Sequence, residues 1–331
     1  MLQLHETLTK KKTAMSILEL AKIQEGYCYT TDLETSLKSN SCNNYQDGLY
    51  YIINAEPVPA EEKLDQFPET DFNKSNPLFS ITLNQDFFAL LKNAVPFTEK
   101  KDYMRPALMG VHFDHINQKI AATDGRVMFI NDFALECPQS FTIPFESVEF
   151  IAKSIRAAKL KDFLTTAYFM PDGYVIFDFQ LFEIKTRLIK QNFPDYLGLA
   201  QFQTKFSRQF FFDRKTLLSN LQTIKPFTTD SKKTVTIRTN INTNDLELHA
   251  YNEDKNIEKN IALESANLSA PGSIDTQNIR LLMPVTPKNP SFDNAFAVNR
   301  EFFEKILKSS NAQTVILTYT APKKAILINF E

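Results

Sequence analysis

RPALMGVHFDHINQKIAATDGR, from Arg105 to Arg126, opens on a basic residue and runs through an apolar, strand-like stretch. A polar turn, a second strand and an acidic step at Asp124 follow. The same grammar occurs twice more. KTAMSILELAKIQEGYCYTTDLE spans Lys12 to Glu34, and KTVTIRTNINTNDLELHAYNED spans Lys233 to Asp254. From the basic residue to the acidic step is 20 positions (Lys12 to Asp32), 19 (Arg105 to Asp124) and 20 (Lys233 to Glu253). Three matched spacings make an internal repeat, and an internal repeat means that one structural unit is used three times.

Working outward, a helical pattern precedes each strand pair. Leu83, Phe87, Leu90, Leu91 and Ala94 recur at helical spacing, with Asn84 as a cap. Leu217, Leu218 and Leu221 repeat it after Asp213, and Leu4 and Leu8 suggest it near the start. Further helices are expected in FESVEFIAKSIRAAK, through Val148, Ile151, Ala152 and Ile155, and in NREFFEKILKSS, capped by Asn299. TTAYFMPDGYVIFDF reads as a hairpin turning at Pro171-Asp172-Gly173. The predicted class is α+β, as three repeated domains at 1–76, 77–200 and 201–331, with linkers near 72–78 and 197–208.

The chain has 331 residues, too many for one ordinary core. A formal net charge of −2 requires any nucleic-acid contact to rest on locally gathered cations. Cys28, Cys42 and Cys137 form no CxxC pair, which argues against a disulfide framework or a zinc site and points to a reducing compartment. No apolar run reaches the roughly 18 residues of a membrane span. The charge in MLQLHETLTKKK follows the apolar residues, the reverse of a signal peptide. A cytoplasmic protein is expected. Only 7 glycines occur, with no GxGxxG or P-loop and no nucleophile–base pairing, so neither enzymatic activity nor a cofactor is expected.

Four motifs in order carry a resemblance. Thr31-Asp32-Leu33-Glu34 ends the first strand pair. Arg105-Pro106-Ala107-Leu108-Met109-Gly110, followed by Ala122-Thr123-Asp124-Gly125-Arg126, frames the second. Phe67-Pro68-Glu69-Thr70 and Phe193-Pro194-Asp195-Tyr196 close the first two repeats. In this order the chain resembles the bacterial DNA polymerase III beta subunit, the sliding-clamp family, whose second motif usually reads ATDGHRL. Here the His is absent, and Val127 and Met128 follow Arg126. Asp32 to Phe67 is 35 positions, whereas Asp124 to Phe193 is 69, so the first domain is expected to be truncated, largely without its second helix. The chain closes on ILINFE, where the family continues into one more strand and an apolar tail that forms part of the partner pocket.

The resemblance implies a processivity factor: a homodimer ring that encircles duplex DNA, with helices lining the inside and antiparallel sheets outside. Sliding needs weak, sequence-independent attraction to phosphates. The DNA-facing candidates are Lys10, Lys11, Lys12, Lys100, Lys101, Arg105, Lys153, Arg156, Lys159, Lys215, Lys225, Arg300, Lys305 and Lys308. The bland alternative for each group is a solvated helix face. DNA polymerase and the clamp loader are the implied protein partners, held through an apolar peptide in a pocket. Its wall would include Leu108, Thr123, Gly125, Arg126, Val127, Pro194 and Leu199, several of which could equally be plain core. His112, Asp114 and His115 resemble a metal cluster, but alternation turns His115 away from the other two, and a structural role is preferred. Asp32 and Asp124 read as turn-starting carboxylates rather than catalytic ones. Two further readings stay open: a clamp-fold regulator that does not encircle DNA, and an unrelated multi-domain α+β binding protein. Threefold internal symmetry separates the last from the others.

Overall fold

The computed structural model describes residues 1–9, 15–198, 208–228, 233–240, 245–252, 255–262, 265–267, 278–282, 295–319 and 326–330. Five helices and twenty-two strands are described, and every pairing that can be read in register is antiparallel.

The first repeat holds α1 (Leu2–Thr9), then β1 (Ala21–Gln24), β2 (Tyr27–Thr31), β3 (Thr35–Asn40), β4 (Gly48–Ile53) and β5 (Glu56–Pro59). The second holds β6 (Phe79–Asn84), α2 (Gln85–Ala94), β7 (Gly110–Asp114), β8 (Lys119–Thr123), β9 (Val127–Asp132) and β10 (Phe141–Pro144). It continues with α3 (Phe145–Ala157), β11 (Leu164–Phe169), β12 (Tyr174–Asp178) and β13 (Phe182–Arg187). The third opens with β14 (Arg208–Asp213), α4 (Arg214–Ile224), β15 (Thr234–Asn240), β16 (Asp245–Asn252) and β17 (Lys255–Ala262). Its remainder is β18 (Ser265–Asn267), β19 (Asn278–Leu282), β20 (Ala295–Asn299), α5 (Arg300–Lys308), β21 (Thr314–Tyr319) and β22 (Ile326–Phe330).

The repetition is physical. One sheet pattern runs return strand, first, second, third: β4-β1-β2-β3 and, in the third repeat, β20-β15-β16-β17. The second repeat reuses it through β10 on β7 and β8 beside β9. A second pattern occurs twice, as β6-β11-β12-β13 and β14-β21-β22-β19. The threefold recurrence removes the reading as an unrelated protein. In the first repeat the second pattern is missing. Between β5 and β6 there is only the single turn of 3-10 helix at Leu64–Gln66, so the truncation read from the motif spacing is real.

Two compact units form: Met1–Ile120 with Phe133–Asn192, and Ala121–Asp132 with Phe193–Glu331. In the first, β3 pairs with β13 from Thr35↔Thr186 to Ser39↔Phe182, fusing two sheets into the nine-stranded order β5-β4-β1-β2-β3-β13-β12-β11-β6. Lys38 bridges this seam to Glu183 at 3.0 Å, and Lys74 reaches Asp178 and Glu183. Helix α2 packs on α3, and α1 lies over β2 and β4. With 29 Phe and no Trp in the chain, the core of this unit is built from phenylalanines. Phe141 stands 4.9 Å from Phe169, which stacks on Phe79 at 4.4 Å. In the second unit β9 pairs with β19, followed by β22, β21, β14 and β18, and α4 packs against α5.

The expected caps are made. Asn84 Oδ1 accepts from Phe87 N, Asp213 Oδ1 from Thr216 N, and Asn299 Oδ1 from Glu301 N and Phe302 N. From the middle of α1, Glu6 accepts from Asn54 N and Ala55 N, both at 3.1 Å. That holds the β4–β5 turn, whose two residues have φ of 52° and 63°.

Candidate DNA-facing and peptide-binding residues

The acidic steps that defined the repeat are one turn built twice. Thr123 Oγ1 donates to Val127 O and accepts from Gly125 N, while Asp124 Oδ1 accepts from Arg126 N and Val127 N. In the first repeat Thr31 Oγ1 donates to Thr35 O and accepts from Leu33 N, and Asp32 Oδ1 accepts from Glu34 N and Thr35 N. The third residue is left-handed in both, Gly125 at φ 85° and Leu33 at φ 74°. In each aspartate one carboxylate oxygen is taken by two backbone amides, which fixes the turn.

On the Asp124 turn the second unit gathers a mixed cluster. The Arg126 guanidinium lies 5.9 Å from the Phe302 ring centroid. Lys305 Nζ is 3.5 Å from Asp124 Oδ2 and 5.5 Å from the same ring. Arg126 and Gly125 are exposed, whereas Thr123 and Val127 are buried beneath them. Below lie Ala121, Met128, Ile130 and Tyr196, with Phe193 and Leu197 packed against them. Of the seven pocket candidates, Thr123, Gly125, Arg126 and Val127 therefore share this turn. Pro194 is exposed in the segment that carries Phe193 and Tyr196. Leu108 is buried in the other unit, its carbonyl accepting from Glu99 N. Leu199 lies outside the described residues.

The basic candidates divide by environment. On α3 the exposed residues Glu146, Glu149, Lys153 and Arg156 fall at spacings of three and four, forming one stripe that is acidic at its start and basic at its end. That order suits the helix dipole, and Lys159 extends the basic end. Lys101 and Arg105 are exposed in the loop before β7, with Arg105 Nε donating to Asp102 at 2.7 Å. That bond holds the Asp102 carboxyl below its ordinary value. Lys100 sits over the Phe145 ring at 3.6 Å and reaches Glu149 at 3.5 Å. Lys215, Lys225 and Lys308 are exposed, Lys308 pairing with Glu304 at 3.3 Å. Arg300 departs from the expectation of a DNA-facing cation. It is 3% exposed, and its guanidinium is bound to Glu304 and approaches Thr228 Oγ1. A cation so enclosed positions α5 and is not offered to a phosphate. Lys305 is tied to the Asp124 turn. Lys10, Lys11 and Lys12 lie outside the described residues.

Three exposed residues were passed over in the sequence. Lys92 is exposed at the margin of the α2 face that buries Phe87, Phe88, Leu91 and Ala94. Tyr103 and Met104, 79% and 88% exposed, project between Lys101 and Arg105. Apolar residues in a loop give no periodic signal. The Nδ1 atoms of His112 and His115 bond Thr142 and Ser140, and Asp114 accepts from Ile116 N and Asn117 N. Among the described residues no group of three or more His, Cys, Asp or Glu is placed to hold a metal, and no helix is long and apolar enough to cross a membrane.

Helix pairs backed by repeated antiparallel sheets match the fold of solved sliding clamps. The chain is similar to the DNA polymerase III beta subunit of Thermotoga maritima, at TM-score 0.74 and 15% identity over 99% of this chain and 95% of that one. It is similar to the DNA polymerase sliding clamp of Bacillus subtilis (0.73, 13%) and to the DNA polymerase beta subunit of Streptococcus pyogenes (0.71, 16%), with the same coverage of both chains. No protein-family model and no curated protein sequence matches the chain. The fold is shared over 99% of the chain at 13–16% sequence identity.

Proposed function

We propose that this protein is a DNA polymerase processivity factor, a non-enzymatic clamp that holds duplex DNA without reading its sequence. Its three functional domains would be 1–76, 77–200 and 201–331, and its place of action the cytoplasm. The observation that carries the reading is the run of exposed cations at the end of α3 (Lys153, Arg156 and Lys159), with Lys92 on the packed neighbour α2. Cations on helix surfaces attract phosphates by counterion release and contribute no base readout, which is what sliding requires. Polymerase and clamp loader would dock a short apolar peptide over the Asp124 turn, where Arg126 and Phe302 offer an aromatic and cationic rim. The test is retention on DNA. After loading, a clamp stays on nicked circular duplex through a high-salt wash and is lost once the circle is linearised. Equal loss from both forms would refute encirclement.

A second reading is favoured by one feature. The first repeat lacks the second sheet pattern that the other two possess. On this reading the protein is a clamp-fold regulator that binds clamp partners without surrounding DNA. Molar mass in solution separates the two, because a ring of two copies has twice the chain's 38.0 kDa and the regulator has the mass of one chain.

A further inference from the structure

Seams between sheets in this chain are made by adding one strand to the edge of another sheet, β13 to β3 and β19 to β9. An edge strand with free amides would therefore be a ready acceptor for more of the same. The first repeat ends at an edge strand, β5, the terminal strand of its nine-stranded sheet. The face beside it is apolar: Tyr51 and Ile53 on β4 and Val58 on β5 are all exposed, and Tyr51 sits opposite Val58. An apolar edge of this kind is an association hazard.

The hydrogen-bond phase of β5 is fixed at both ends. Ala60 N donates inward to Leu49 O at 2.9 Å, and the turn at Asn54-Ala55 closes the other end with Ile53 opposite Glu56. Amides of even-numbered residues thus face β4, and residues 57 and 59 face outward. Both are proline. Pro57 and Pro59 have no N–H, so the outward side of β5 presents carbonyls and no donor. Glu56 and Glu61, both exposed, flank the same edge with like charge. Pro57 itself is buried, so a second copy approaching edge to edge would meet one exposed proline ring, at Pro59, no donors and two carboxylates.

We propose that β5 is an assembly stop: Pro57 and Pro59 remove the outward donors of the end strand, so that a second copy of this chain cannot add a strand to the first repeat. The inference holds whether or not the protein encircles DNA. Any joint between copies then lies at another surface.

The test is self-association of the full chain carrying Pro57→Val and Pro59→Thr, followed by light scattering from low to high micromolar concentration beside the wild type. Restoring two donors per edge should tighten self-association about tenfold or more over the wild type. Hydrogen exchange should show new protection at residues 57 and 59 as the larger species forms. Pro59→Thr alone, at an exposed side chain, restores one donor and serves if the double variant fails to fold by circular dichroism. Masses that track the wild type at every concentration in a folded variant would overturn the proposal. So would an otherwise wild-type dimer that cross-links through cysteines placed at Val58 of each copy. DNA retention is not a readout here, so loss of the clamp reading would leave this result standing.

Discussion

His5 is fully buried on α1, its ring nitrogens 3.0 Å from Thr30 Oγ1 and 2.7 Å from Ser39 Oγ. Burial, with the nearby chain amino terminus second, lowers its pKa from 6.5 to about 3. Below pH 6.5 the unfolded chain takes up a proton that the folded chain refuses, so stability is full above 6.5 and is lost as pH falls toward 3. By about pH 5 the loss should be about 2 kcal/mol, read as a falling denaturation midpoint that His5→Gln flattens. Next to it, Glu6→Ala should cost about 1–3 kcal/mol by removing the charged acceptor of two turn amides, measured by denaturant unfolding. The Asp32 and Asp124 turns were legible because spacing and turn chemistry are local. Arg300 was not read correctly. It opens α5, where a cation looks solvent-facing. Glu304 one turn later was the available sign that it would be bound.

At the level of elements, the helices were readable because each has an apolar face and three have a side-chain cap that a local sequence can reveal. Strand β19 was not. NIRLL at 278–282 carries too little pattern to mark a strand, and its place is set by pairing with β9 and β22, far away in sequence. It fills the seat that β13 takes in the preceding repeat, but it comes before α5 where β13 follows α3. For α3 the expectation concerns charge. Lys153→Glu with Arg156→Glu removes cations that make no other bridge in the described structure, and the fold should persist because both side chains are exposed. Affinity for duplex DNA should fall alike on every sequence. The slope of log affinity against log salt should drop by about 1 for each phosphate left without its cation, measured by fluorescence anisotropy. An unchanged slope would mean that α3 does not face DNA.

For the whole molecule, the threefold plan was visible in the matched spacings of 20, 19 and 20 positions, and the shortened first repeat in the 35 against 69 positions between motifs. The division into compact units was not, since β9 joins β19 in one unit while β7 of the same repeat belongs to the other. Light scattering should return one chain mass or two at working concentrations, and the outcome decides between the regulator and the ring. The same non-contiguous partition bears on how the chain is made. Residues 121–132 leave the ribosome roughly 150 positions before β19 does. At about 5–20 residues per second, β9 then waits on the order of ten seconds for its neighbour. Through that interval a nascent sheet edge lacks its native cover. Synthesis in the cell therefore has a window in which holdase chaperones, or slower elongation just after residue 282, would change the yield of correctly joined protein.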